Sequence, residues 1–298
     1  MNHNMKIVIG IPAYNEDKNI ASIIVGLKKF YPDIIVCNDG STDLTSEILK
    51  NFDVITINHK KNMGYGEAIK SIFLKSNEID ADILVTFDAD GQHRIEDIQK
   101  VVDPLIKNES DLVIGSRFYE TESNIPKYRK FGIKTITEIT NIVGGTKIKD
   151  SQSGFRAYSK KILESIKPVD TGMGISTEIL IKSHKLGLRI SEVPIKILYE
   201  GNTSTHNPII HGTSVILSTL RFVAIGRPLT FYGIPGIIFL VVGLIFGLWT
   251  VQIFSEQGKI VTNIALVGIG GVILGTILLI TATILYSLVV IVKDKNST

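Results

Sequence analysis

The chain has 298 residues, 44% of them hydrophobic, a net charge of +3 and one cysteine, Cys37. That length admits one α/β domain of ordinary size plus an appendage. So weak a positive charge gives no reason to expect nucleic acid as a partner, and a lone cysteine excludes a disulfide framework or a thiolate metal cluster.

Residues 1–5 are polar, and the apolar run at 6–11 is too short for a signal-peptide core, so no leader is expected. Strand-like and helix-like segments then alternate. Strands are predicted at 6–11, 34–37, 54–57, 83–87 and 111–114, and helices at 18–30, 42–50, 65–76 and 95–107. This order predicts an α/β fold, a mostly parallel sheet flanked by helices. In such sheets ligands bind beyond the carboxyl ends of the strands.

Those ends carry acids and amides. Pro12-Ala13-Tyr14-Asn15-Glu16 closes the first strand and Asn38-Asp39-Gly40-Ser41-Thr42-Asp43 the second. Asp88-Ala89-Asp90-Gly91-Gln92-His93 closes the fourth, and Gly115-Ser116-Arg117 the fifth. No G-x-G-x-x-G and no Walker A lysine loop is present, so phosphates bound here need a cation. Asp88, Asp90 and Gln92 offer hard oxygen ligands for Mg²⁺ or Mn²⁺. They are too few for an all-protein cage, which leaves room for water and substrate phosphates. The alternative is that the two acids only cap the helix predicted at 95–107; a cap needs one acid beside the helix, not two at a strand tip.

Mean hydropathy is +0.25, high for a soluble protein, and the excess lies after about residue 226. Residues 214–223 read as an interfacial helix. The runs 229–254 and 264–292 contain no Asp, Glu, Lys or Arg and are long enough to cross a bilayer. The short link 255–259 makes them a hairpin. Arg221 and Arg227 before it and Lys293 and Lys295 after it place both flanks on the cytoplasmic side. The expectation is a multi-pass protein of the cell membrane with its C-terminus in the cytoplasm. Gly243 and Gly247, like Gly271 and Gly275, form small-xxx-small patterns. These fit close packing within the hairpin, a homo-oligomer built through the membrane helices, or the general abundance of glycine in such helices. The expected division is a cytoplasmic catalytic domain at 1–205, a juxtamembrane region at 206–228, the hairpin at 229–292 and a tail at 293–298.

Taken in order, "PAYNE" (12–16), "NDGSTD" (38–43), "FDADGQH" (87–93), "GSRF" (115–118), "DSQSGFRAYS" (150–159) and "TEIL" (177–180) resemble the family 2 glycosyltransferases. Within them the chain is similar to the polyprenyl-phosphate sugar synthases of the dolichol-phosphate mannose synthase type. The resemblance covers the whole part before the hairpin and implies a GT-A fold, a Rossmann-like sheet joined to an acceptor half. It implies that Pro12, Tyr14, Glu16 and Asp39 line the pocket for the nucleotide base and ribose, and that Asp88, Asp90 and Gln92 form the metal and diphosphate site. It sets Arg117, Ser153 and Arg156 near the phosphates and sugar, with Asp90, Arg117 and Arg156 as the catalytic set. It sets Glu178 near the acceptor, as a partner of the sugar or of an arginine. Arg117, Arg129 and Lys130 are the cations available for the acceptor phosphate, although 127–130 reads equally as a solvated basic face or a contact with anionic lipid.

The implied reaction is inverting transfer of a hexose or N-acetylhexosamine from a nucleotide-diphosphate sugar to a polyprenyl or dolichyl phosphate. Two departures stand out. Asn38 replaces the usual first acid, and 200–208 lacks the Arg-Gly-x-Ser-Lys stretch of the mannose synthases, with only His206 and, further on, His211 as substitutes. Glucose and N-acetylglucosamine therefore stay open as donor sugars. A processive polysaccharide synthase would carry Gln-x-x-Arg-Trp, but the only tryptophan, Trp249, lies in the first apolar run. A non-catalytic sugar-nucleotide binder tethered to the membrane is the remaining alternative.

Overall fold

A computed structural model describes residues 5–118, 127–196, 224 and 228–295. The chain divides into two compact units, Met1–Thr219 and Leu220–Thr298.

In the first unit, β1 (Ile7–Ala13), α1 (Ile20–Lys28), β2 (Ile34–Asn38), α2 (Thr45–Leu49), β3 (Ile55–Asn58), α3 (Tyr65–Glu78) and β4 (Ile83–Thr86) alternate as expected. A 3₁₀ turn (Ile95–Asp97) leads into α4 (Ile98–Ile106), followed by β5 (Leu112–Ser116) and α5 (Lys127–Gly144). Then come β6 (Arg156–Ser159), α6 (Lys160–Ser165), α7 (Ile175–Lys185) and β7 (Ile190–Pro194). Every residue of β2, β4 and β5 is buried. Helices cover both faces of the sheet, so these strands are continuous apolar runs with no alternation. One core joins Ile24 and Leu27 of α1 and Val101 and Val102 of α4 to Ile9, Val36 and Val85. The other joins Ile69, Ile72 and Phe73 of α3 to Val8, Ile35 and Leu84.

The seven-stranded sheet has the order β3-β2-β1-β4-β6-β5-β7. All neighbours are parallel except β6, which runs antiparallel to both β4 and β5. Periodicity does not predict this strand: it is four residues long and begins with an arginine. Its direction matters for the site. Thr86, the last residue of β4, pairs with Arg156, the first of β6. The segment 150–155 therefore arrives at the edge where the parallel strands end.

In the second unit, a π-helical turn (Leu229–Gly233) leads into α8 (Ile234–Gln257), and α9 (Thr262–Lys295) follows. Both segments are long and apolar enough to cross a membrane. A Cβ added at Gly271 would stand 2.8 Å from Gly243 Cα, and one at Gly275 2.6 Å from the Leu240 backbone nitrogen. Glycines of both patterns are used in closing the hairpin, one of the uses the sequence left open. The expected interfacial helix at 214–223, the 200–208 stretch, His206 and His211 lie outside the described residues.

Candidate active site

The loops after β1 and β2 are fastened to each other. The Asn15 and Glu16 amides donate to Ser41 Oγ (3.0 Å) and Thr45 Oγ1 (2.9 Å), and the Thr42 amide donates to Asn15 Oδ1 (2.8 Å). Asn15 takes up positive φ to do this, a conformation asparagine tolerates better than most residues. Pro12, Tyr14 and Glu16 are thereby held, half-buried, at the sheet edge. Asn38, the departure from the family pattern, is a buried staple. Its Oδ1 accepts from the Ser41 amide, and its Nδ2 donates to Ser46 Oγ and Asn58 Oδ1. A carboxylate there would lack the two donors.

Asp39 is buried beside it. Its Oδ1 accepts from His59 Nδ1 (2.6 Å) and the Met63 amide (2.9 Å), and its Oδ2 from the Gly64 amide (2.8 Å). Asp39 thus fixes the turn that opens α3. A cavity of about 440 Å³ lies beyond the ends of β2 and β3, with Asn38, Ser41, Thr42, Asn58 and His59 in its wall. Neither Asp88 nor Asp90 lines it.

At the end of β4, Asp90 Oδ1 accepts from the Gln92 amide (3.0 Å), closing a tight turn. Neither acid caps the helical segment that starts at Ile95, where no side-chain cap is made. The capping alternative is therefore set aside. Burial, then the charge of Asp88, pushes the Asp90 carboxyl up, and burial pushes Glu16 up to about 7. These carboxylates share a site that disfavours their ionisation, an arrangement a bound cation relieves. Among the described residues no cluster of three or more His, Cys, Asp or Glu could hold a metal alone. Two acids with an amide fit an ion whose shell is completed by substrate. Behind Asp88 stands His93, its Nε2 3.2 Å from Asp88 Oδ2 and its ring stacked on Phe155. A Cβ on Gly154 would lie 2.8 Å from Asp88 Oδ2 and from the Tyr65 hydroxyl, so only glycine leaves this carboxylate its place.

The expected cations have other partners. Arg117 makes a bidentate pair with Asp150, both contacts at 2.7 Å. Burial alone would raise the Asp150 carboxyl, but the guanidinium overrides this and holds it below the usual carboxylate range. The pair is neutral as a unit, so Arg117 brings no net charge to a phosphate. Arg156 is fully buried and donates to the carbonyls of Ser153, Ser176 and Ser151 (2.8, 2.7 and 2.7 Å). It ties the segment 151–153 to α7, and these three carbonyls account for its donors as the structure stands. Arg156→Leu should leave three acceptors without a donor. At about 1–3 kcal/mol for each orphaned group, that is a loss of roughly 3 kcal/mol or more, read as a fall in the urea midpoint.

Glu178 is engaged within the protein. Its side chain is 1% exposed and pairs with Lys182 at 2.6 Å. It also accepts from the Val169 and Asp170 amides. It clamps the loop whose Asp170 carbonyl would stand 2.6 Å from a Cβ on Gly66. Glu178 therefore fixes this loop against α3. Ser153 stays a candidate: its buried Oγ has no partner among the described residues. Lys130 is exposed on α5, and Arg129 lies in the same helix.

His59 and Tyr65 fall outside the quoted motifs, and His93 and Gly154 lie inside two of them without a role assigned to either. His59 was detectable in principle. Asn38 pairs with Asn58 across β2 and β3, so the next residues, Asp39 and His59, must be neighbours.

A family model for glycosyl transferase family 2 matches residues 8–167. A UDP-N-acetylglucosamine–dolichyl-phosphate N-acetylglucosaminyltransferase of Methanococcus voltae is 38% identical, over 70% of this chain and 89% of that protein. A dolichyl-phosphate hexose transferase of Haloferax volcanii is 28% identical, over 73% and 93%. Among solved structures, glucosyl-3-phosphoglycerate synthase of Mycobacterium tuberculosis with Mn²⁺, UDP and product superposes with a TM-score of 0.58. Its identity is 20%, over 73% of this chain and 80% of that one, a likeness of fold. With the acids of the ordered motifs gathered on one sheet edge and the family match spanning more than half its length, this chain belongs to glycosyl transferase family 2.

Proposed function

We propose that the protein is an inverting transferase that moves a hexose or N-acetylhexosamine from a nucleotide-diphosphate sugar to a polyprenyl or dolichyl phosphate, giving a lipid-linked monosaccharide. The observation that carries this reading is the 38% identity to a transferase acting on dolichyl phosphate, running through 70% of the chain. The two apolar helices agree with it, since a water-soluble acceptor would not require them.

The roles are those the family resemblance implies, supported by the gathering of these residues at one sheet edge. Asp39 meets the base, with Pro12, Tyr14 and Glu16 around the nucleoside. Asp88 and Asp90, with Gln92, hold Mg²⁺ or Mn²⁺, which neutralises the diphosphate leaving group when bound. His93 and Gly154 keep Asp88 in place. Ser153, whose buried hydroxyl has no partner among the described residues, is the remaining candidate near the phosphates or sugar. Arg129 and Lys130 remain the cations for the acceptor phosphate, because Arg117 is neutralised by Asp150. The test is a panel of nucleotide sugars mixed with purified protein and polyprenyl phosphate, scored for butanol-extractable sugar. No lipid-linked product from any donor would overturn the reading.

Membrane insertion with both flanks in the cytoplasm is part of the same proposal. Cys37 is fully buried, and burial pushes its thiol up to about 12, so the native cysteine is silent to maleimide. Glu256→Cys should be labelled from outside intact cells and Lys295→Cys only after permeabilisation. The reverse pattern would overturn the orientation.

A further inference from the structure

We infer that His59 is a positioning residue that sets donor-base selectivity: it occupies one acceptor site of Asp39, so that the carboxylate can take a single N–H, as uracil offers, and not the paired N–H groups of guanine. This rests on the reading of Asp39 as the residue that meets the base.

A carboxylate has about four acceptor sites, two on each oxygen. Oδ1 of Asp39 is filled by His59 Nδ1 and the Met63 amide, and Oδ2 holds only the Gly64 amide. One site remains, on Oδ2. Asp39 is 3% exposed, so a group reaching it must fit what is left. Uracil presents one imide N–H between two carbonyls and matches one site. Guanine presents N1–H and an exocyclic amino group side by side, which suit a carboxylate with a free site on each oxygen. One guanine donor would be buried unpaired, a loss of roughly tenfold or more in affinity.

The imidazole is itself fixed. Asp39 can only accept, so Nδ1 carries the proton. On the other side Nε2 lies 2.9 Å from Ser71 Oγ on α3, with Cys37 Sγ at 3.6 Å. The ring is held from β2 and from α3, and it cannot swing away to free Oδ1 without breaking both contacts. Selectivity of this kind, set by which acceptor sites are already taken, is the logic by which a polar site rejects an analogue it leaves unpaired.

The experiment is calorimetric titration of the full-length detergent-solubilised protein with UDP and with GDP, at one fixed Mn²⁺ concentration. Wild type should bind UDP roughly tenfold or more tightly than GDP. His59→Leu should weaken UDP and bring the two affinities within about threefold, because Oδ1 then has a free site. His59→Asn, whose amide Nδ2 can donate in place of Nδ1, should keep most of the wild-type ratio. Equal affinities in wild type would overturn the inference without needing any variant. A His59→Leu protein that loses UDP and GDP in equal proportion would also overturn it, leaving His59 a merely structural contact. Lipid-linked product is scored separately. Product made from a GDP-sugar by a protein that prefers GDP would sink this inference and leave the transferase reading standing. A UDP preference without any lipid-linked product would do the opposite.

Discussion

Asp90→Ala should lower sugar transfer by about 10³-fold while leaving the urea midpoint close to that of wild type. The size follows from what the residue is asked to supply. A metal that neutralises a diphosphate leaving group contributes several kcal/mol to the transition state, and each 1.4 kcal/mol is about tenfold in rate. The protein side of that arrangement is thin: two strand-tip acids and an amide. Among the described residues no cluster of three titratable ligands could hold a metal, so losing Asp90 leaves Asp88 and Gln92 as the expected ligands. Stability should hold, because the Asp90 side chain accepts its hydrogen bond from the Gln92 amide, only two residues on. Its ionised form is disfavoured in the folded protein, by burial and then by Asp88, so removing it relieves repulsion. Excess chelator should abolish transfer by the wild type, and Mg²⁺ or Mn²⁺ should restore it. Gly154→Ala should give a milder loss with the metal present, since the added methyl presses on Asp88 Oδ2 without removing a ligand. Full activity of wild type in chelator, or of Asp90→Ala at saturating metal, would remove the metal from the mechanism.

The strand-tip acids were legible in sequence because parallel α/β order forces the carboxyl ends of β1, β2, β4 and β5 onto one edge. Residue types there carry their meaning directly: Asp88 and Asp90 at the end of an apolar run have few other reasons to be together. Arg156 shows where this fails. An arginine in a glycosyltransferase motif suggests an anion, and nothing local says otherwise. Its neutral role depends on burial by α7 and on the carbonyls of Ser151, Ser153 and Ser176, which come together only when β6 inserts antiparallel between β4 and β5. Glu178 fails for the same reason, since its partners are backbone amides eight and nine residues upstream in a loop without periodicity. Arg117 required knowing that Asp150, 33 residues away, would be buried against it. In each case the side chain's charge was read correctly, and its partner was supplied by tertiary structure.

Polyprenol, the unphosphorylated alcohol, should give almost no product where polyprenyl phosphate is used readily. The reason is the protonation state of the nucleophile. A phosphate monoester has a second pKa of about 6 and is largely dianionic at neutral pH, so it attacks without a base. An alcohol needs a base in hydrogen-bond reach of its proton. Glu178, the acid the resemblance sets near the acceptor, is occupied by two amides and Lys182 and is 1% exposed, so it cannot serve. What the acceptor needs is positive charge. Arg117 is neutralised by Asp150, which leaves Arg129 and Lys130 on α5. Removing one charge-assisted contact to a bound phosphate costs about 1.5–3 kcal/mol, roughly tenfold or more in acceptor efficiency. Arg129→Ala should therefore reduce kcat/KM for polyprenyl phosphate by that factor and change donor affinity far less than Asp39→Ala does. The measurement is transfer rate against acceptor concentration, for phosphate and alcohol, with wild type, Arg129→Ala and Lys130→Ala. Equal use of alcohol and phosphate would refute the phosphate-nucleophile mechanism. Unchanged kinetics in both variants would move the acceptor contact off α5 and leave the mechanism in place.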